Sequence, residues 1–111
     1  MDLNQYQIFA SRTMPDFDDK GKANYALGLN GEAGELGDLV KKNIFHGHQN
    51  DREAFVNEAG DVLHYLSGLC LMYGVTLEEA AMANIKKLQK RFPNGFNTLD
   101  SIRRVDVNGK D

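Results

Sequence analysis

One cysteine in 111 residues, Cys70, leaves no partner for an internal disulfide and fits a reducing compartment. An excess of basic charge is also missing. Thirteen Lys and Arg stand against sixteen Asp and Glu, a formal net charge of −3, which excludes the basic footprint of a general nucleic-acid binder. Long apolar runs are missing too. The stretch that leans most apolar, Val62 to Val75, contains His64, Ser67, Gly68 and Gly74 and falls short of the roughly 18–20 residues of a membrane span. No charged-then-apolar leader opens the sequence. The expectation is a soluble, cytoplasmic protein that partners neither nucleic acid nor membrane, built around a single core.

What is present is helical periodicity. Asp2 to Thr13 carries Leu3, Tyr6, Ala10 and Thr13 at helical spacing. Pro15 and Gly21 interrupt the pattern. A second helix is predicted from about Lys22 to about Asn43, although Gly28, Gly31, Gly34 and Gly37 fall inside it. Each glycine costs about 1 kcal/mol relative to alanine, so close packing on another helix or subunit is expected as the offset. After a loop over Ile44 to Gln49, Asn50 and Glu53 have the spacing of a capping box that opens a third helix, and Gly74 ends it. Thr76 and Glu79 form a second such box, opening a helix that Pro93 stops. Four helices with short connections predict an all-α, four-helix-bundle-like fold over residues 1–96. A polar tail follows over 97–111, with Ile102, Val105 and Val107 its only anchors.

The chemistry concentrates between Gly28 and Tyr65. Glu32-Ala-Gly-Glu35 is echoed, after 22 intervening residues, by Glu58-Ala-Gly-Asp61. Residues three apart share a helix face, so each pair can present both acids in one direction. Winding the second helix at about 100° per residue puts Glu32 and Glu35 beside Leu29, Leu36 and Leu39. On the third helix the same winding puts Glu58 and Asp61 beside Phe55, Val62, Tyr65 and Leu69. Acids usually occupy a solvated face, because they are almost never buried unpaired. Here both pairs lie on the apolar face. Four inward carboxylates repel one another and raise each other's pKa unless a cation joins them. An all-oxygen set favours Mg²⁺, with Mn²⁺ as a substitute, over zinc.

A ferritin-like di-iron centre would need two Glu-x-x-His motifs. Only Asp61-x-x-His64 comes near that pattern, and His64 is wound roughly 120° away from Glu58. His46 and His48 sit in the loop around Gly47, open either to solvent or to a phosphate. The fourth helix aligns Asn84, Lys87 and Arg91 with Leu77, Ala80 and Leu88. Long basic chains at such an edge often only snorkel, whereas an amide within the stripe must find a hydrogen bond. Lys42 adds a cation two turns from Glu35. Acids that hold a metal, opposed by an Asn/Lys/Arg set, suit a polyphosphate.

Glu32-x-x-Glu35, then Glu58-x-x-Asp61 followed by Val62-Leu-His-Tyr65, then Asn84-Ile-Lys-Lys87 and Arg91-Phe-Pro93, resembles the MazG-like nucleotide pyrophosphohydrolases of the all-α NTP pyrophosphatase superfamily. The likeness runs from about Leu3 to Phe96. It implies Mg²⁺-dependent hydrolysis of nucleoside triphosphates, deoxynucleotides in particular, to monophosphate and pyrophosphate, in nucleotide-pool sanitation or regulation. By that resemblance Glu32, Glu35, Glu58 and Asp61 match metal ligands, and Glu35 or Glu58 is expected to act as general base. Lys42, Tyr65, Asn84, Lys87 and Arg91 are expected to meet the substrate. Assembly as a homodimer or homotetramer is implied as well. The chain has no tryptophan, which some relatives stack on the base, so Tyr6, Phe9 or Tyr25 would take that place. The competing reading is a non-catalytic helical module for oligomerisation or partner binding, with a structural cation.

Overall fold

The computed structural model describes residues 1–108 as helices and short connections, with no strand among the described residues. The fold class is all-α. Helix α1 spans Leu3–Ala10 and runs into a 3₁₀ turn over Ser11–Thr13; α2 spans Asp19–Phe45, α3 Arg52–Met72 and α4 Leu77–Arg91. Two short helices follow, α5 over Thr98–Arg103 and α6 over Val105–Asn108. The chain forms two compact units, the first over Met1–Thr76 and the second beginning at Leu77. No described helix is long and apolar enough to cross a membrane.

The first unit is built on the pairing of α2 with α3, with α1 laid against α3. Helix α2 runs unbroken through all of its glycines and two to three residues past the predicted limits at each end. Its start is set by Asp18, whose carboxylate accepts the Gly21 N–H at 2.8 Å. A Cβ added at Gly28 would lie 2.5 Å from the Tyr65 ring, so Gly28 is the hollow into which that ring fits. The converse holds on α3, where the Tyr25 ring presses against Gly68 and leaves no room for a side chain. The two rings meet edge to face with centroids 5.0 Å apart. These reciprocal ring-on-glycine contacts supply the packing expected of Gly28. Gly31, Gly34 and Gly37, by contrast, have nothing within 4 Å of where a Cβ would be.

Helix α3 opens on Asp51 rather than on the expected Asn50: the Asp51 carboxylate accepts the Ala54 N–H at 3.0 Å. One residue of register decides the cap, and the ionised carboxylate is the stronger acceptor. The helix closes as expected, with Gly74 at φ +71° and the Val75 N–H returning to the Cys70 carbonyl at 2.9 Å. Helix α1 starts from a capping box between Asp2 and Gln5. It is tied down by the buried Gln7, whose amide donates to the carbonyls of Ser67 at 3.2 Å and Val75 at 3.0 Å. Tyr25 and Met72 are the buried hydrophobic residues of this unit.

In the second unit the stretch after Phe96, expected as a sparsely anchored polar tail, forms α5 and α6. The Asn97 side chain accepts the Asp100 N–H at 2.8 Å and starts α5, and Arg104 turns the chain with φ +51°. Val105 is buried, while Ile102 and Val107, also expected as anchors, are exposed. Packing on α4 organises a segment whose own sequence has little periodicity.

Two substitutions separate the filled glycines from the open ones. Gly68→Ala is expected to cost about 1–3 kcal/mol of unfolding free energy, because the Tyr25 ring has to move. Gly37→Ala is expected to gain up to about 1 kcal/mol from helix propensity. Urea denaturation of both variants checks this, and a loss in Gly37→Ala would reveal a second chain against that face.

Candidate metal centre

The ring-on-glycine contacts fix which levels of α2 and α3 face each other. Contacting positions rise along α2 as they fall along α3, so the helices are antiparallel. One turn beyond Gly28 on α2 lies Glu32, and one turn back from Tyr65 on α3 lies Asp61. Three residues further in each direction come Glu35 and Glu58. Equal spacing within the two motifs, read in opposite directions, therefore brings the four acids to two adjoining levels of one helix pair.

Within this set Glu32, Glu58 and Asp61 converge most closely, each offering a carboxylate oxygen within 4.8 Å of the others. Glu32 and Glu58 are half-buried and Asp61 is exposed. One oxygen of each glutamate, Oε2, is shut off from solvent with no protein donor to meet it. Buried acceptors without partners are rare. Burial first, then the facing Glu58 carboxyl and the charges of Glu35 and Asp61, push the Glu32 carboxyl up to about 7. A shared proton is one way to reconcile the facing carboxylates and a cation is the other. The donor set is all oxygen and carries several negative charges, which fits a hard divalent ion. No histidine joins the cluster among the described residues.

Glu35 lies outside the closest group. It is exposed and lines a cleft of about 240 Å³ with Asp38, Leu39, Lys42, Ala54 and Glu58, at the open side of the acidic cluster. Lys42 reaches that cleft while its ammonium is held by Asp38 at 3.0 Å, and Lys41 reaches Asp38 at 3.4 Å. Lys42 first, and then Lys41, holds the Asp38 carboxyl below the usual range. Asp38 stands one turn before Lys42, the i+4 spacing that lets the two pair. Tyr65 is half-buried, packed on Gly28 and against His64 at a centroid distance of 5.3 Å. Tyr25 Oη lies 3.4 Å from His64 Nε2, so His64 belongs to this ring cluster rather than to the acids. Tyr6 comes near the acids from α1, where burial and the Asp61 charge push its phenol up.

His46 and His48 are exposed in the α2–α3 loop. The Asn43 amide holds the His48 carbonyl at 2.8 Å. His48 lines a cavity of about 460 Å³ with Leu39, Asn43, Asn50 and Phe55. In the second unit Asn84 and Lys87 are exposed on α4. Arg91 is not: its Nε and Nη2 donate to Asp106 Oδ1 at 2.5 Å and Oδ2 at 2.8 Å. Asp106 is a residue the sequence reading missed. No helical spacing connects it to Arg91, and only the fold brings them together.

Comparison with known proteins bears on the family. The model of the MazG nucleotide pyrophosphohydrolase domain matches residues 20–96. That span contains all four acids and all of α4. The Gene 37 protein of Mycobacterium phage L5 is 34% identical over 105 residues, covering 86% of this chain and 92% of that protein. No solved structure matches.

The raised Glu32 pKa makes a signed prediction for the metal-free protein. A carboxyl that titrates near 4.5 when unfolded and near 7 when folded binds more protons in the native state between those values, so stability falls as pH rises through that window. Melting temperatures of chelator-treated protein are expected to drop from pH 5 to pH 8. The drop should flatten in Glu32→Gln and on addition of Mg²⁺. A melting temperature that is level across the window in the chelated wild type would contradict the shared-proton account.

Proposed function

The chain belongs to the MazG nucleotide pyrophosphohydrolase family, and from that premise we propose that it hydrolyses nucleoside triphosphates, deoxynucleotides in particular, to monophosphate and pyrophosphate with Mg²⁺. The observation that carries the reading is the pair of partnerless buried oxygens of Glu32 and Glu58 beside Asp61. Glu32, Glu58 and Asp61 would hold the ion, with Glu35 adjoining. Bound there, a divalent cation supplies positive charge to phosphate oxygens and acidifies water. Of the remaining work, Glu35 is best suited to proton removal. It is exposed beside Glu58, so one of its oxygens can take a proton from the water that attacks the α-phosphorus. Glu58 is the second candidate for that role. The bond from the α-phosphorus to the bridging oxygen breaks, and pyrophosphate leaves with the electron pair. Lys42 offers a cation at the cleft; Asn84, Lys87 and Arg91 would meet phosphate oxygens and Tyr65 the nucleoside. Nucleotide-pool sanitation or regulation, in the cytoplasm, is the role that fits this chemistry.

A homodimer or homotetramer belongs to the same reading. On α2, Leu27 is 72%, Ile44 64% and Phe45 76% exposed, while Gly31, Gly34 and Gly37 offer an open backbone. Exposed apolar side chains along a helix support a further subunit packed against it.

The test is release of pyrophosphate from a panel of NTPs and dNTPs with Mg²⁺. Wild type is expected to turn over at least one of them. Glu35→Gln and Glu58→Gln should each lose about 10²–10⁴-fold in kcat with helical content unchanged by circular dichroism. Activity in Glu58→Gln equal to wild type would remove the acids from the chemistry.

A further inference from the structure

The cavity of about 460 Å³ beside the α2–α3 loop takes no part in the proposed hydrolysis. Its walls all belong to the first unit: Leu39, Val40 and Asn43 near the end of α2, His48 to Asp51 in the loop, and Phe55 on the first turn of α3. It adjoins the acidic cleft. Leu39 and Lys42 line both hollows, and Glu58 on the cleft stands three residues from Phe55 along α3. The volume lies within the roughly 300–1,000 Å³ of small-molecule sites.

The loop is held onto α2 by its own hydrogen bonds. His48 N–H donates to the Lys42 carbonyl at 3.1 Å, and the Asn43 amide donates to the His48 carbonyl at 2.8 Å. Gly47, at φ +73°, makes that return possible. The charged groups at the wall are engaged: Lys42 Nζ holds Asp38 at 3.0 Å, and Asp51 accepts the Ala54 N–H at 3.0 Å. The cavity therefore offers little to a phosphate. Its other groups are apolar or amide. Leu39, Val40 and Phe55 supply apolar surface, and the Phe55 ring is 46% exposed. The side chains of Gln49 and Asn50 have no hydrogen-bond partner among the described residues. Each amide both donates and accepts. A ring beside such amides suits a flat, neutral heterocycle, because stacking takes its face and the amides pair with its edge.

We propose that this cavity receives the base of the nucleoside triphosphate, with Phe55 stacked on it and Gln49 and Asn50 reading its edge. The proposal rests on the pyrophosphohydrolase reading and sets the direction of the substrate: phosphates at the acids, base toward the loop. Tyr25, expected as a stacking ring, is only 4% exposed and is spent on Gly68. Tyr65 lies at the opposite end of the acids, about 15 Å from Phe55 along α3. The geometry thereby moves the base from Tyr65, whose ring already fills the hollow at Gly28, to Phe55.

The experiment compares the nucleotide that wild type hydrolyses best with ribose 5′-triphosphate, which has the phosphates and no base. KM for both with Mg²⁺, and melting temperature, are measured in wild type and variants. Wild type is expected to favour the nucleotide about tenfold or more, the scale of one stacked base. Phe55→Leu, which keeps apolar volume without the ring, should erase most of that preference, and Phe55→Trp should keep it. The paired variant Gln49→Ala with Asn50→Ala is expected to flatten the ranking of bases across a dNTP panel. Wild-type turnover with no preference for the nucleotide, or with a preference unmoved in Phe55→Leu, overturns this inference alone. So does an unmoved ranking in the paired variant. Equal losses toward both compounds in Phe55→Leu, with a lower melting temperature, would make Phe55 a packing residue and overturn it too. A preference lost in Tyr65→Leu but kept in Phe55→Leu would put the base at the other end of the acids. Wild-type silence toward every nucleotide and toward ribose 5′-triphosphate overturns the hydrolase reading as well.

Discussion

Two tyrosines seated on two glycines set the geometry of the first unit. Tyr65 fills the hollow at Gly28 and Tyr25 fills the one at Gly68. Because each helix supplies one ring and one gap, sliding α2 along α3 would drive both rings into ordinary side chains. Antiparallel helices held at one register have only one set of facing levels. The level one turn away holds Glu32 and Asp61, and the next holds Glu35 and Glu58. The acidic cluster is thus a consequence of ring packing, not of attraction among the acids themselves, which repel.

That repulsion is what makes the cluster chemically informative. A carboxylate with an inaccessible, partnerless oxygen is costly in a folded protein. The elevated pKa of Glu32 is the form the cost takes when no cation is present. The tight group is smaller than the motif: Glu35 stands at the open side.

Much of this was legible in the residues. Helical period and glycine or proline stops located α1 to α4 to within a few residues, since such signals are local. The i, i+3 acids on apolar faces pointed to a cation because spacing alone decides which face they share. Three features were not legible. Asn50 and Asp51 are adjacent acceptors, and only backbone geometry selects Asp51 as the cap. The residues after Phe96 have weak periodicity, and their helices come from packing on α4 and from the cap at Asn97. Gly31, Gly34 and Gly37 looked equivalent to Gly28, yet of these four only Gly28 receives a ring.

The sequence by itself determined α1 to α4 and the two acidic pairs, because each depends on residues within a turn or two of one another, and the family, because its pattern is read along the chain. Only the tertiary structure decided which acids close on one another, that Tyr65 is a packing knob as well as a candidate neighbour of substrate, and that Arg91 is held by Asp106. Those outcomes depend on register between helices and on contacts between residues far apart in the chain. Side-chain spacing along one helix carries no information about either.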